Sequence, residues 1–305
     1  MLRNRSISAL LAAEIISNLG SRMTWLALPW FVLVSSGSAT RMGIVFAAEA
    51  VPMALLGIPS GTAVQRFGAR KTMLACDAAR APLVALVPLL QDLHALSFGV
   101  LLALVFLSGV FTAPYFASQR LVLPEVVGEH ERLITQANSL MEGAQRLTGL
   151  AGPAAAGALI ALLGATNVIW IDAATYFFAF TLVATLVPSR AAPLVPEDAR
   201  GVLAGLRFVA ADRIIRPIAL EILLIGMFVP LLFAGLPVLA FQRYGQSSLV
   251  AGALTSAWSG GALLGAAGRI ASPRVHHLLR SRRLQRRGLH CRSGRWHSVS
   301  RPGWQ

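Results

Sequence analysis

Apolar runs about 20 residues long recur along the chain, each ended by a short polar or cationic turn. Twenty helical residues rise about 30 Å, the thickness of a bilayer's hydrocarbon core. Eight such runs are expected as transmembrane helices: 7–34, 42–64, 72–90, 96–118, 141–163, 167–187, 218–241 and 249–268. Composition agrees, since 55% of residues are hydrophobic and only 13% charged, against roughly 45–50% and about 25% in ordinary globular domains. The expected fold class is an all-α polytopic membrane protein.

The turn at 57–71, GIPSGTAVQRFGARK, shows how the runs are separated. Gly61 lacks a side chain, so a neighbouring helix can approach it closely. Pro59 weakens the helix ladder near its end. Gly68 can take the positive φ that a tight helix-to-helix turn needs. Arg66, Arg70 and Lys71 then mark a cytoplasmic loop. The remaining loops agree. Those expected inside hold Arg120 and Arg132, then Arg190, Arg200, Arg207, Arg213 and Arg216, whereas those expected outside hold only Arg41 and Arg243. This places both termini in the cytoplasm and the chain in the plasma (inner) membrane. Arg3 and Arg5 precede the first run, and Glu14 interrupts it, which argues against a cleaved signal peptide.

The net charge of +14 does not describe the body of the protein. Residues 269–305 hold ten arginines and no acid, leaving 17 basic against 13 acidic residues in the first 268. No nucleic-acid partner is expected. The basic tail reads either as a segment that binds anionic lipid or, preferably, as an out-of-frame stretch ending a transporter early. Cys76 lies in an apolar run and Cys291 in the tail, a pattern that offers neither a disulfide framework nor a metal site. No G-x-x-x-x-G-K-[ST] loop occurs, so no nucleotide-driven motor is encoded. No cofactor and no enzymatic chemistry is expected. Between the sixth and seventh runs, the 188–217 linker places Val202, Leu203, Leu206 and Val209 on one helical face, away from Arg200 and Arg207, as in a helix lying along the membrane surface.

Gly61, Arg66, Gly68, Arg70 and Lys71 resemble the loop motif G-x-x-x-D-R-x-G-R-K between helices 2 and 3 of the major facilitator superfamily. The sequence departs from it at Gln65, where the family has aspartate, and at Ala69, where an arginine is usual. The stretch from Thr148 to Gly157 resembles a fifth-helix motif of facilitator antiporters, matched at Gly152, Pro153 and Gly157. Small residues at that spacing also serve ordinary helix packing. SNLGSRMTWLALPWFVL, LPEVVGEHERLITQANSL, IDAATYFFAF and GLRFVAADRIIRP look like the branch holding enterobactin exporters and macrolide-efflux pumps, with Ser21 where that branch often has aspartate. The arginine-bearing motif of the fourth helix is missing. The resemblance implies a complete amino-terminal six-helix bundle (1–187), the linker (188–217), two helices of a second bundle (218–268) and the tail (269–305). The family has twelve helices. In it the motif aspartate meets helix 11, a contact that Gln65 and an eight-helix chain would lack.

Charge inside a span is costly, so each ionisable residue there is a candidate for function. Arg22 lies about 20 Å from the cytoplasmic edge and Glu49 at a similar depth on the second helix. They could pair near the midplane, either as a purely structural ion pair or with Glu49 as a coupling carboxylate. Asp77 and Arg80 at i, i+3, and Glu142 and Arg146 at i, i+4, can pair on one helix face, at an inner gate or as interfacial pairs. Glu14 sits in the first turns of the first helix and joins Glu49 and Arg22 as a substrate or coupling candidate. Glu221 is expected to open the seventh helix, where the dipole favours an anion. Asp172 reads as a packing or hydrogen-bonding residue, and Trp25, Trp30, Trp170 and Trp258 as interface anchors or packing. The expected function is secondary export of a small amphipathic molecule such as a drug or siderophore, coupled to protons. The alternative is a non-transporting fragment, or a membrane module needing a second chain.

Overall fold

The structure is a computed structural model that describes residues 5–127, 131–188, 207 and 209–271. Among the described residues there are eight long helices: α1 (Arg5–Ser36), α2 (Ala39–Phe67), α3 (Ala69–Asp92), α4 (Phe98–Val127), α5 (Glu131–Leu163), α6 (Ala165–Leu186), α7 (Ile215–Arg243) and α8 (Ser248–Ala271). Five of them, α2 to α6, hold a stretch long and apolar enough to cross a membrane. The 32 residues of α1 would rise about 48 Å, but Glu14, Asn18, Ser21 and Arg22 dilute its apolar character. In α7 the described apolar stretch is Leu232–Arg243. Residues 1–258 form one compact unit and 259–305 a second; of the latter, only the continuation of α8 is described. The surface helix expected in the linker and the basic tail lie outside the described residues, apart from Arg207 and Val209.

Successive helices reverse direction through very short turns. Gly68 alone separates α2 from α3, at φ 85° and ψ 150°. Its N–H donates to Val64 O at 2.8 Å and its carbonyl accepts from Thr72 N at 3.1 Å. The freed backbone groups at both helix ends are thereby bonded, as a low-dielectric setting demands. Gly61 behaves differently from the sequence expectation: no described atom lies within 4 Å of where its Cβ would be. α2 presents the buried Ser60 and Val64 to its neighbours, and Gly61 falls off that face. Ser60 Oγ donates to Leu56 O and Thr62 Oγ1 to Pro59 O, which satisfies both hydroxyls within the helix.

Helices adjacent in sequence are not always the closest partners. α1 packs on α5 and α6, α2 on α4, and α3 on α4 and α6. Two apolar clusters result. One lies toward the face that carries Arg5, Arg66 and Lys71, and includes Leu10, Val64, Met73, Cys76, Leu123 and Val183. The other lies toward the opposite face and includes Leu26, Leu33, Val45, Val87, Leu104, Ile160 and Ile169. Large apolar side chains such as Leu55, Leu147, Leu162 and Phe177 point outward, as a protein solvated by lipid requires.

Replacing Gly68 by Val should destabilise the protein by about 1–3 kcal/mol, because that backbone conformation is nearly restricted to glycine. Gly61→Ala should be neutral or stabilise by up to about 1 kcal/mol, since it meets open space within a helix. Thermal unfolding of the two variants in detergent, followed beside the parent chain, checks both.

Candidate functional site

Between the two apolar clusters lies a polar layer that no single helix could assemble. On α1, Glu14, Ser17, Asn18, Ser21 and Thr24 recur every three or four residues and so share one face. Opposite them stand Asp77 and Arg80 of α3, Tyr115 and Gln119 of α4, and Asp172, Thr175 and Tyr176 of α6. Glu14 is 2% exposed, and Asp77 and Asp172 are fully enclosed.

The hydrogen bonds tie α1 to its neighbours. Gln119 Nε2 donates to Glu14 Oε2, and Asn18 Nδ2 donates to the same oxygen at 3.3 Å. Tyr115 Oη donates to Ser17 Oγ at 3.4 Å, and the Ser21 and Tyr176 hydroxyls are 2.8 Å apart. Arg80 donates from a terminal guanidinium nitrogen to the Tyr176 hydroxyl. Its guanidinium carbon lies 4.2 Å from the Tyr176 ring centre and 5.2 Å from that of Tyr115, within cation–π range. Thr175 Oγ1 donates to Asp172 Oδ1 at 3.2 Å. Satisfaction is incomplete. Among the described residues, Glu14 Oε1, both Asp77 carboxylate oxygens and Arg80 Nε are buried without a hydrogen-bond partner. Each such group costs stability where water is excluded. A layer of buried acids left partly unbonded is therefore a poor structural device and a good functional candidate.

Two expected ion pairs do not form. Asp77 and Arg80 are buried rather than interfacial, and no salt bridge joins them among the described residues. Their i, i+3 spacing puts them on one face, but the guanidinium turns to the tyrosines of α4 and α6. Arg22 and Glu49 share a depth without sharing a contact. Arg22, half-buried, lies over Trp25 at 5.8 Å and along α5 at Gly152. Glu49, also half-buried, has Arg80 and Asp172 as its electrostatic neighbours. The reason is the packing: α2 lies chiefly on α4 and α1 on α5 and α6. Glu142 and Arg146 do pair, at 3.0 Å and about half exposed.

The remaining sequence candidates fall outside this layer. Gln65, Arg66 and Lys71 are exposed, with Arg66 over Phe67 at 5.5 Å. Arg70 donates to Ala184 O at 2.9 Å and Val183 O at 3.4 Å, placing its charge at the negative end of the α6 dipole. Glu221 lies beyond the first turn of α7, which begins at Ile215. The carboxylate serving that helix start is Asp212, whose Oδ1 accepts from Ile214 N and Ile215 N at 2.7 and 3.1 Å. Gly157 meets Gly252 of α8 so closely that a Cβ at Gly157 would lie 3.0 Å from the Gly252 Cα. Ser248 Oγ donates to Gly157 O there at 3.0 Å. Trp30 meets Phe241 edge-on, and Trp25 meets Phe233 at a tilt, while Phe233 also meets Trp258. Ser17, Asn18, Tyr115, Gln119 and Tyr176 were not singled out by the sequence. Their signal was a polar group one helical turn from another on otherwise apolar helices.

Tyr176→Phe removes the hydroxyl shared by Arg80 and Ser21. It should cost about 1–3 kcal/mol, the desolvation penalty of the donors left behind. Arg80→Ala should cost more, about 3–5 kcal/mol if the buried acids retain their charge. Melting temperatures of the two variants test this ordering.

The sequence matches known proteins over most of its length. A model of the family described as "Transmembrane secretion effector" covers residues 1–289. The chain is 29% identical over 269 residues to the multidrug efflux pump Tap of Mycolicibacterium fortuitum, covering 85% of this chain and 65% of that protein. It is also 29% identical over 274 residues to Tap of Mycobacterium tuberculosis, covering 85% of this chain and 64% of the relative. The chain thus spans just under two thirds of the length of these relatives. It belongs to the transmembrane secretion effector family of the major facilitator superfamily.

Proposed function

We propose that the chain acts in secondary export of small amphipathic molecules, by alternating access. One observation carries this reading. Among the described residues, α7 and α8 join only the apolar cluster remote from Arg5, through Ala240, Ala251, Ala234, Val238, Phe241 and Val250. Among the described residues the cluster near Arg5 is built from α1 to α6. Within residues 1–258, the apolar contacts of α7 and α8 with the first six helices thus lie on the remote side of the buried polar layer. The excess of basic residues at the face that carries Arg5, Arg66 and Lys71 supports its being cytoplasmic, the orientation expected of an exporter in the plasma membrane. The Tap relatives are multidrug efflux pumps, which supports the substrate class. Glu49, Glu14, Asp77 and Asp172 are the groups proposed to exchange protons during the cycle.

Accumulation of drugs and dyes in pump-deficient cells tests the reading. Expression should lower accumulation, and collapse of the proton gradient or Glu49→Gln should abolish the difference. Unchanged accumulation, with the protein shown to be in the membrane, would sink it. The orientation gives a separate expectation. A cysteine at the exposed Gln65 should react with a membrane-impermeant maleimide in inside-out vesicles at least tenfold faster than one at the exposed Arg41.

A further inference from the structure

Arg22 is a cation inside a span with no counter-charge. Among the described residues it makes no salt bridge or hydrogen bond, and no acid acts on it electrostatically. Glu49, at a similar depth, has Arg80 and Asp172 as its neighbours instead. What Arg22 does have is the ring of Trp25, 5.8 Å from its guanidinium carbon and within cation–π range. Trp25 meets Phe233 of α7 at 5.8 Å, and Phe233 meets Trp258 of α8 at 5.9 Å. One aromatic row thus crosses from the first six helices to α7 and α8. Trp25, Gly152, Phe233 and Trp258 each stand about 15–17 Å, at 1.5 Å per residue, from the end of their helix at the face remote from Arg5. Arg22, one turn before Trp25, packs on α5 at that level, where a Cβ on Gly152 would lie 2.6 Å from its own. Nearer the remote face, Gly157 and Gly252 bring α5 and α8 into backbone contact. The row itself is not sealed: Arg22, Trp25 and Phe233 are half-buried, and Trp258 is 48% exposed.

A guanidinium without an acid, continued by a row of aromatic rings, is complementary to a ligand that brings a negative charge on a flat apolar body. We propose that this row is a subsite for amphipathic anions with an aromatic body. The carboxylate or other oxyanion takes the planar N–H fork of Arg22, and the ring lies against Trp25, Phe233 and Trp258. Ring faces alone would favour a cation, but the fixed charge of Arg22 repels one. The sign of the ligand's charge is therefore what the subsite selects. A ligand held there touches α1, α7 and α8 together. This deepens the export reading by naming a substrate class and rests on it for biological meaning. The binding itself can be tested without transport.

The test uses the whole 305-residue chain in lipid nanodiscs at neutral pH. It is titrated with anthracenecarboxylate and with (aminomethyl)anthracene, substituted at the same ring position and opposite in charge. Energy transfer from tryptophan to anthracene reads the binding, with empty discs subtracted. The carboxylate should bind saturably, and the ammonium compound at least tenfold more weakly. Arg22→Gln should weaken carboxylate binding at least tenfold and abolish the preference between the two. Equal affinity for both compounds in the parent, unchanged carboxylate affinity in Arg22→Gln, or no saturable carboxylate binding overturns the subsite. Should Arg22→Gln not fold, Trp258→Ala decides: it trims a half-exposed ring and leaves the cation in place. Carboxylate binding should fall at least threefold there, and undiminished affinity overturns the proposal equally. Arg22-dependent binding without any cellular export would defeat the export reading alone. Export of cationic drugs without carboxylate binding would defeat only the subsite.

Discussion

The buried guanidinium of Arg80 holds the centre of this bundle together. Among the described residues it is the only buried basic side chain, and the enclosed Asp77 and Asp172 lie within its electrostatic reach. Removing a cation from water is offset only where hydrogen bonds and opposite charge replace the lost hydration. Here the replacement is indirect, through the Tyr176 hydroxyl and two aromatic faces. The arrangement joins α3, α4 and α6, and through Ser17 and Ser21 it fixes the rotation of α1.

Much of the architecture was legible because one rule governs it. Runs of apolar residues at bilayer length become helices, and Gly68 shows where a reversal can fit a single residue. Helix ends were less legible. α4 continues to Val127 and α5 begins at Glu131, because a helix need not stop where hydrocarbon does. The sequence likewise put the start of α7 at residue 218, near Glu221, whereas Asp212 bonds the first N–H groups farther back.

The site was legible as a set of residue types and not as a set of contacts. Glu14, Glu49, Asp77, Arg80 and Asp172 stand out because ionisable groups are rare in apolar helices. Which of them meet depends on helix neighbours, and spacing along one helix carries no information about those. Asp77 and Arg80 look paired for that reason, and Arg22 and Glu49 look paired because depth alone was compared. The tyrosines escaped notice because an aromatic ring in an apolar run fits ordinary packing equally well. Only the tertiary arrangement shows that Tyr176 accepts from a buried cation.

The contact of Gly157 with Gly252 has a mechanical side. It is a hard point near one end of α5, since neither backbone leaves room for a Cβ. From Gly157 to Ile134 the helix extends about 35 Å. A rotation of about 10° about that point, smaller than the subunit rotations known in switching proteins, sweeps the far end of α5 through roughly 6 Å. In the export cycle proposed above, such a fulcrum would turn a slight tilt into a passage wide enough for a small molecule. It asks of the residues at the pivot only that they stay small.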